Sequence, residues 1–290
     1  MKPASATDSG RALPEKRRVA LLKLLGDEDP AVYRTIREKI LAGGSQATEW
    51  LRPHALSRDP VVRRHVRAIL LHFDGQAADD QFLAFCLKQG QELNLEQGAF
   101  LLARTRYPGI NTEAYGALLD SFAGELGHRL ERRAKASKTL SEVNRYLFDE
   151  LGFAGNQRDY YNPDNSYLNR VIDRRTGSPI SLCLVYLLVA RRLSLPVAGI
   201  GLPGHFICRY QSSSAEMYVD AFNRGQFLTK ADCIQYLARG NFSPREDYLS
   251  PLSARRLLLR LCANLHQVYQ ELEKQDEALR LQRYMVALAR

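Results

Sequence analysis

Four side chains between residues 181 and 220 have the types that acyl transfer or amide hydrolysis requires. Cys183 and Ser181 are candidate nucleophiles, His205 is a candidate general base, and Asp220 is a candidate orienting carboxylate. A thiol or hydroxyl becomes an effective nucleophile when an imidazole takes its proton, and a carboxylate fixes the tautomer of that imidazole. These residues could therefore form a Cys-His-Asp triad, with Ser181 as the other candidate nucleophile.

A buried helix and a hairpin are the elements that must position these side chains. From Ser181 to Leu193 the chain is apolar nearly all round, as in a helix buried in a core. Ser178 is suited to cap this helix and Pro179 to occupy its first position. After Pro196 the hydrophobic period changes from that of a helix to that of strands. We therefore expect a buried helix followed by a small antiparallel sheet.

Three short strands are predicted after the helix, over residues 197–202, 205–210 and 217–220. A serine-rich stretch between the last two is a candidate hairpin turn. A two-residue loop would place His205 directly opposite Asp220, and a four-residue loop would make them diagonal neighbours on one face. An odd loop length would put them on opposite faces, because side chains alternate along a strand. The pattern thus permits a His–Asp pair without requiring it.

Four motifs in this region together resemble the transglutaminase-like superfamily, and more narrowly its SirB-type branch. They are N-S-Y-L-N at 165–169, R-R-T-G-S-P-I-S at 174–181, L-P-G-H-F at 202–206 and D-A-F-N at 220–223. The resemblance covers about residues 90–290. It implies a papain-like α+β core combined with tetratricopeptide-like helices. It also implies a His–Asp pair facing a catalytic cysteine at the start of the buried helix, where the helix dipole lowers the pKa of a thiol.

The sequence departs from the pattern of that family at the nucleophile. Counting back from Pro196 without gaps, the position of the cysteine falls near Pro179, which cannot act as a nucleophile. Cys183 lies about one turn inside the helix, and Ser181 lies nearer its start. Two interpretations stay open. One is a degenerate core that acts as a peptide- or protein-binding or regulatory module. The other is a cysteine-dependent acyl-transfer or amide-hydrolysing enzyme. The position of Pro179 favours the first.

A loop before the buried helix supplies candidate substrate-binding residues. Residues 156–165 have the composition of a loop and contain two adjacent aromatic residues, Tyr160 and Tyr161, followed by Asn165. Loops with exposed aromatic and amide side chains often line binding sites. Tyrosines that anchor the loop to the core are the structural alternative. Together with the candidate triad, these residues could bind a peptide or an amide.

The predicted fold class is α+β and predominantly α, in four segments. Residues 1–13 are expected to be a disordered tail, 14–90 a HEAT-like helical region, 91–250 the core with its leading helices, and 251–290 a tetratricopeptide-like helical hairpin. The HEAT-like prediction rests on two similar segments, each beginning with Asp-Pro, at 29–30 and 59–60. A generic helical domain fits that region equally well.

Composition limits the classes of function. Apolar residues make up 45% of the chain and charged residues 25%, as in ordinary soluble globular proteins. No apolar run is long enough to span a bilayer, and the amino-terminal residues lack the apolar centre of a signal peptide. The net charge of +9 comes from scattered basic pairs without a nucleic-acid motif. We expect a cytoplasmic protein with a protein or peptide partner, no nucleic acid, no membrane span, no metal and no cofactor.

All five cysteines are predicted to be reduced, because their number is odd, their spacing is irregular and most lie in apolar surroundings. Thiol titration of the denatured protein without reductant should detect five free thiols. A titre that is short by a pair of thiols would contradict this prediction.

Overall fold

The computed structural model describes residues 13–88, 93–131, 134–240, 242 and 246–290. The chain forms two compact units, Met1–Ala78 and Asp79–Arg290. The predicted disordered tail lies outside the described residues except at its last position, Leu13. The boundary between the units falls inside a long helix.

The first unit is helical over its described residues. Its helices are α1 (Glu15–Leu24), α2 (Pro30–Ala42), α3 (Ala47–Leu51) and the first part of α4 (Pro60–Cys86). Both Asp-Pro pairs begin a helix, as predicted. The Asp29 carboxylate accepts a hydrogen bond from the Ala31 amide at 2.8 Å, and the Asp59 carboxylate accepts one from the Val61 amide at 2.8 Å. Each carboxylate thereby satisfies one of the amides that a helix start leaves without a partner. The HEAT-like character of this region stays a prediction.

The second unit contains eight further α-helices among its described residues, and one of them is buried along nearly its whole length. They are α5 (Leu95–Arg106), α6 (Thr112–Arg129), α7 (Ala136–Asn144), α8 (Leu168–Arg174), α9 (Pro179–Arg192), α10 (Lys230–Arg239), α11 (Ala254–Glu271) and α12 (Gln275–Ala289). Every residue of α9 from Pro179 to Ala190 is buried. The last two helices form the predicted helical hairpin, and its likeness to a tetratricopeptide repeat stays a prediction.

Two small sheets belong to the second unit. A short parallel pair joins β1 (Ala154–Gly155) to β2 (Thr176–Gly177), and an antiparallel sheet contains β3 (Val197–Leu202), β4 (His205–Gln211), β5 (Glu216–Asp220) and β6 (Gln226–Leu228) in that order. The three predicted strands form within one residue of their predicted bounds. The fourth strand, β6, was not predicted, because three residues are too few to establish a period. The predicted class, α+β with a predominance of α, is confirmed.

The register of the β4–β5 hairpin decides how His205 and Asp220 are related. Gln211 lies opposite Glu216, so the loop has four residues, and Cys208 lies opposite Val219. Continuing this register places Asp220 opposite the strand residue two positions after His205. The two side chains are therefore diagonal neighbours on one face of the sheet, as the four-residue alternative requires.

Replacing Gly225 with alanine should destabilise the second unit. Gly225 has φ of +77°, and a Cβ atom there would lie 2.6 Å from the Phe148 ring and 2.7 Å from the Asn144 side chain. We expect Gly225→Ala to lower the free energy of unfolding by about 1–3 kcal/mol in chemical denaturation. Gly124→Ala is the matched control. Gly124 is exposed in α6 with no atom within 4 Å of the added Cβ, so its replacement should be neutral or stabilising. If both changes lowered the free energy of unfolding equally, the positive φ and close contacts of Gly225 would be contradicted.

Candidate active site

The imidazole of His205 is hydrogen-bonded to the carboxylate of Asp220. His205 begins β4 and Asp220 ends β5, and the distance from His205 Nε2 to Asp220 Oδ2 is 2.7 Å. Asp220 is 5% exposed, whereas His205 is half-buried. Since Nε2 is hydrogen-bonded to the carboxylate, Nδ1 is the ring nitrogen that is left to hydrogen-bond a ligand. The predicted His–Asp pair thus forms, and what it does for function stays a prediction.

Further donors hold the Asp220 carboxylate in its ionised form. The Asn223 side-chain amide donates to Oδ2 at 2.9 Å, and the backbone amides of Phe222 and Asn223 donate to Oδ1 at 3.1 and 3.2 Å. Burial acts to raise the pKa of Asp220, but the hydrogen bond and charge of His205 and the donors of Asn223 outweigh burial and lower the pKa. The role of Asn223 was not predicted, although the motif D-A-F-N suits an Asx turn, in which Asp220 accepts from the backbone amide two residues on.

Two cavities meet at His205, and together we call them the cleft. The strand-side cavity, about 570 Å³, extends along β6 and α10, and the helix-side cavity, about 410 Å³, extends along α11. Both are lined by Tyr160, Pro179, Gly204 and His205. Each volume lies in the range that small-molecule and peptide subsites occupy.

Pro179 occupies the start of α9 beside His205. It is the first residue of the helix and lines both cavities. Proline has neither an ionisable side chain nor a backbone N–H, so this position supplies no nucleophile and no amide donor. The helix thus begins at the cleft with a residue that cannot attack a substrate.

Cys183 lies one helical turn deeper, on the same face of α9 as Pro179. Its side chain is 0% exposed, its Sγ lies 3.4 Å from the Phe206 carbonyl oxygen, and it does not line either cavity of the cleft. Burial, followed by the neighbouring Cys208 thiol and then the charge of Asp220, raises the pKa of Cys183 well above its ordinary value. The structure therefore does not bring this thiol to the open side of His205.

Ser181 is also withdrawn from the cleft. It is 0% exposed, its hydroxyl donates to the Asn165 carbonyl oxygen at 2.5 Å, and its oxygen accepts from the Ser178 amide at 2.9 Å. These bonds cap α9 and fix the loop before it. In this arrangement the hydroxyl holds the helix start, and Ser181 lines neither cavity of the cleft.

Among the predicted ligand-binding residues, the tyrosines reach the cleft and the asparagine does not. Tyr160 and Tyr161 line the helix-side cavity and are 37% and 45% exposed. Asn165 is 1% exposed, and its side-chain amide donates to the carbonyl oxygens of Asp159 at 2.7 Å and Tyr160 at 3.1 Å. Asn165 thus holds the loop in place and reaches the site only through the position of Tyr160.

Two aromatic residues near His205 were missed by the sequence analysis. The ring of Phe222 lies 6.2 Å from the imidazole and that of Tyr236, on α10, lies 5.9 Å from it. The Tyr236 hydroxyl donates to the Pro203 carbonyl oxygen at 3.0 Å, which ties α10 to the turn before His205. Tyr236 could not be identified from the sequence, because α10 has the pattern of an ordinary surface helix.

The described ranges contain neither a metal-ligand cluster nor a membrane-spanning helix. No group of three or more His, Cys, Asp or Glu side chains in these ranges is placed to hold a metal ion. No described helix has both the length and the apolar character that crossing a membrane needs. All five cysteines are free and buried.

Comparison with known families assigns this core. Residues 113–263 match the family described as "Transglutaminase-like superfamily". The chain belongs to the transglutaminase-like superfamily. The matched range contains α9, the hairpin and every residue that the cleft's two cavities share.

Relatives come from bacteria and from animals. The chain is 38% identical to a UPF0162 protein of Xylella fastidiosa over 66% of this chain and 70% of that protein. It is 31% identical to a UPF0162 protein of Pseudomonas aeruginosa over 63% of this chain and 67% of that protein. It is 41% identical to the mouse F-box only protein 21 over 35% of this chain and 17% of that protein. No solved structure matches the chain.

Asp220→Asn should weaken the fold most at neutral pH. The pKa of Asp220 is lowered from its ordinary value of 3.8, so its ionised form stabilises the folded state above that value, and the contribution is lost as the pH falls through the folded-state pKa. We expect the variant to lose about 1–3 kcal/mol of unfolding free energy at pH 7, with the difference from the parent shrinking at acidic pH. Urea denaturation at several pH values measures this. A difference that does not change with pH would contradict an ionised Asp220.

Proposed function

We propose that this protein is a SirB-type transglutaminase-like module of the cytoplasm, whose cleft binds a peptide or a segment of a partner protein without cysteine catalysis. The observation that carries the proposal is Pro179 at the start of α9, beside the intact His205–Asp220 pair. The site keeps the groups that orient and hydrogen-bond a ligand, and has lost the group that would form a covalent bond to it.

The buried thiol supports this assignment. A catalytic cysteine needs access to the substrate and a lowered pKa. Cys183 is 0% exposed and its pKa is raised well above the ordinary value. Its sulfur contacts the carbonyl of the residue that follows His205, so it lies behind the strand on which His205 is mounted. Its environment is that of a small apolar core residue.

Exposed apolar side chains gathered around the cleft support binding of a protein segment. Four large apolar side chains that are exposed line the cleft: Tyr160, Tyr161, Phe227 and Tyr236. Aromatic side chains of this kind dominate the binding energy of protein interfaces, because they bury a large area at a small cost in conformational entropy. An amide-lined cleft with an aromatic rim suits a peptide chain better than an apolar small molecule.

The relation to F-box only protein 21 supports a modular role. The shared segment makes up 17% of that protein. A core that recurs as a small part of a longer chain is consistent with a unit that contributes binding to an assembly.

The alternative is a cysteine-dependent acyl-transfer or amide-hydrolysing enzyme, and the intact His205–Asp220 pair is the observation that favours it. It requires Cys183 to leave its buried position, or Ser181 to give up the bonds that cap α9. The first change would expose a side chain that is fully buried in the core, and the second would remove the bonds that hold the start of α9.

Alkylation distinguishes the two assignments. With iodoacetamide at neutral pH and mapping by mass spectrometry, the native protein should leave Cys183 unmodified, while the denatured protein is modified at all five cysteines. Slow modification follows from the low fraction of thiolate and the lack of access. Rapid, pH-dependent alkylation of native Cys183 that is lost in His205→Ala would contradict the binding assignment and support the enzyme.

Binding itself is tested by peptide selection. A phage-displayed peptide library is panned against the native protein, and enriched peptides are measured against three variants. Peptides that occupy the cleft should bind Cys183→Ala as they bind the parent, and should bind Tyr236→Ala and His205→Ala at least about tenfold more weakly. Enriched peptides whose affinity is unchanged by both cleft variants, or the absence of any enrichment, would contradict the proposal.

A further inference from the structure

The two cavities of the cleft differ in charge. The strand-side cavity is lined by two carboxylates, Asp220 and Asp232, and by one arginine, Arg239. The helix-side cavity is lined by Arg260 and by no carboxylate. A ligand that crosses the cleft therefore meets a net positive lining on the side of Arg260 and an excess of carboxylates on the other side.

The polar lining of the helix-side cavity comes from one face of α11. Arg260, Asn264 and Gln267 are spaced by four and three residues, which places them in one row along the helix. The side-chain amide of Asn264 donates to the Ser166 hydroxyl at 2.8 Å, which leaves its carbonyl oxygen to accept from a ligand. Gln267 is exposed. The row thus combines a fixed cation with neutral amides.

Arg260 is held where a ligand can use it. One of its Nη atoms donates to the Leu202 carbonyl oxygen at 2.7 Å, and a guanidinium carries further donors in a rigid fork. Burial and the charges of Tyr160 and Asp220 raise the pKa of Tyr236, and the positive charge of Arg260 acts to lower it. A guanidinium in this position suits a carboxylate, which it can bind with two parallel hydrogen bonds.

We propose that the helix-side cavity is a carboxylate-binding subsite, in which Arg260 receives the acidic side chain of the bound segment and the amides of α11 orient it. This inference rests on the proposed function, because it names the chemistry that the cleft selects. Tyr160 and Tyr161 line the same cavity, and a tyrosine hydroxyl can also donate to a carboxylate. A cavity of about 410 Å³ has room for a glutamate side chain and the adjoining backbone.

The experiment compares three probes by NMR titration of the full-length protein. They are a blocked alanine-rich hexapeptide with one central glutamate, the same peptide with glutamine instead, and N-acetylglutamate as a free small carboxylate. The ring resonances of His205 and Tyr161 report occupancy of the cleft. We expect the glutamate peptide to bind about tenfold more tightly than the glutamine peptide, the effect of one charge-assisted hydrogen bond, and its affinity to fall as salt is added.

Gln267→Glu is the decisive variant. It adds a negative charge to the subsite with almost no change in shape and leaves the bond from Arg260 to Leu202 intact. It should abolish the preference for glutamate. Gln270→Glu adds the same charge at an exposed position of α11 outside the cleft and is the matched control. Arg260→Gln should also remove the preference, but it breaks the bond to Leu202 as well, so its thermal stability is measured alongside.

Each outcome decides between the two proposals. Equal binding of the glutamate and glutamine peptides, or an unchanged preference in Gln267→Glu, overturns the carboxylate subsite and leaves the binding function standing. Binding of N-acetylglutamate that Gln267→Glu abolishes supports the carboxylate subsite, and if neither hexapeptide binds and the peptide selection shows no enrichment, the peptide-binding function is overturned. Failure of every probe to bind up to millimolar concentration overturns the subsite.

Discussion

The hydrogen bond between His205 and Asp220 joins the ends of two strands at the mouth of the cleft. It forms because the β4–β5 loop has an even number of residues, four, which puts both side chains on one face of the sheet. The carboxylate is buried, so it needs the donors that surround it, and three of these come from Phe222 and Asn223, two and three residues further along the chain. One buried carboxylate, that of Asp220, therefore fixes both the turn after β5 and the orientation of the imidazole.

The start of α9 determines what this pair can do. The same buried helix that positions a site at its amino-terminal end also carries the thiol, but one turn too deep. Proline is favourable at the first position of a helix, because its fixed φ suits a helix start and because an N–H at that position would have no partner within the helix. The fold thus gains a well-defined helix start at the position where a nucleophile would stand. An imidazole with an orienting carboxylate and no nucleophile remains a good partner for the polar groups of a ligand.

The elements that local rules govern were predictable from the sequence. The buried helix followed from its apolar residues and the Ser178-Pro179 start, and the strands followed from their period. The His205–Asp220 pair could be stated only as conditional, since the sequence did not choose between an even and an odd loop length. Tyr160 and Tyr161 were found from the sequence, but Tyr236 and Arg260 were not, because they line the cleft from helices distant in the chain. Asn165 was predicted to bind a ligand, but it does not line the cleft. It lies in a loop whose composition fits a ligand site, yet its side-chain amide donates to the loop's own backbone.

The most direct test of this account is to restore a thiol at the start of α9. Pro179→Cys in a Cys183→Ala background places a cysteine at a helix amino terminus beside His205, where the dipole and the imidazole both favour the thiolate. The pH dependence of its alkylation rate, measured with iodoacetamide and mapped by mass spectrometry, gives its pKa. The account predicts a pKa below the ordinary value of about 8.5 and slower alkylation at neutral pH when His205→Ala is added. A new thiol that reacts as slowly as native Cys183, or whose reactivity does not depend on His205, would contradict the account.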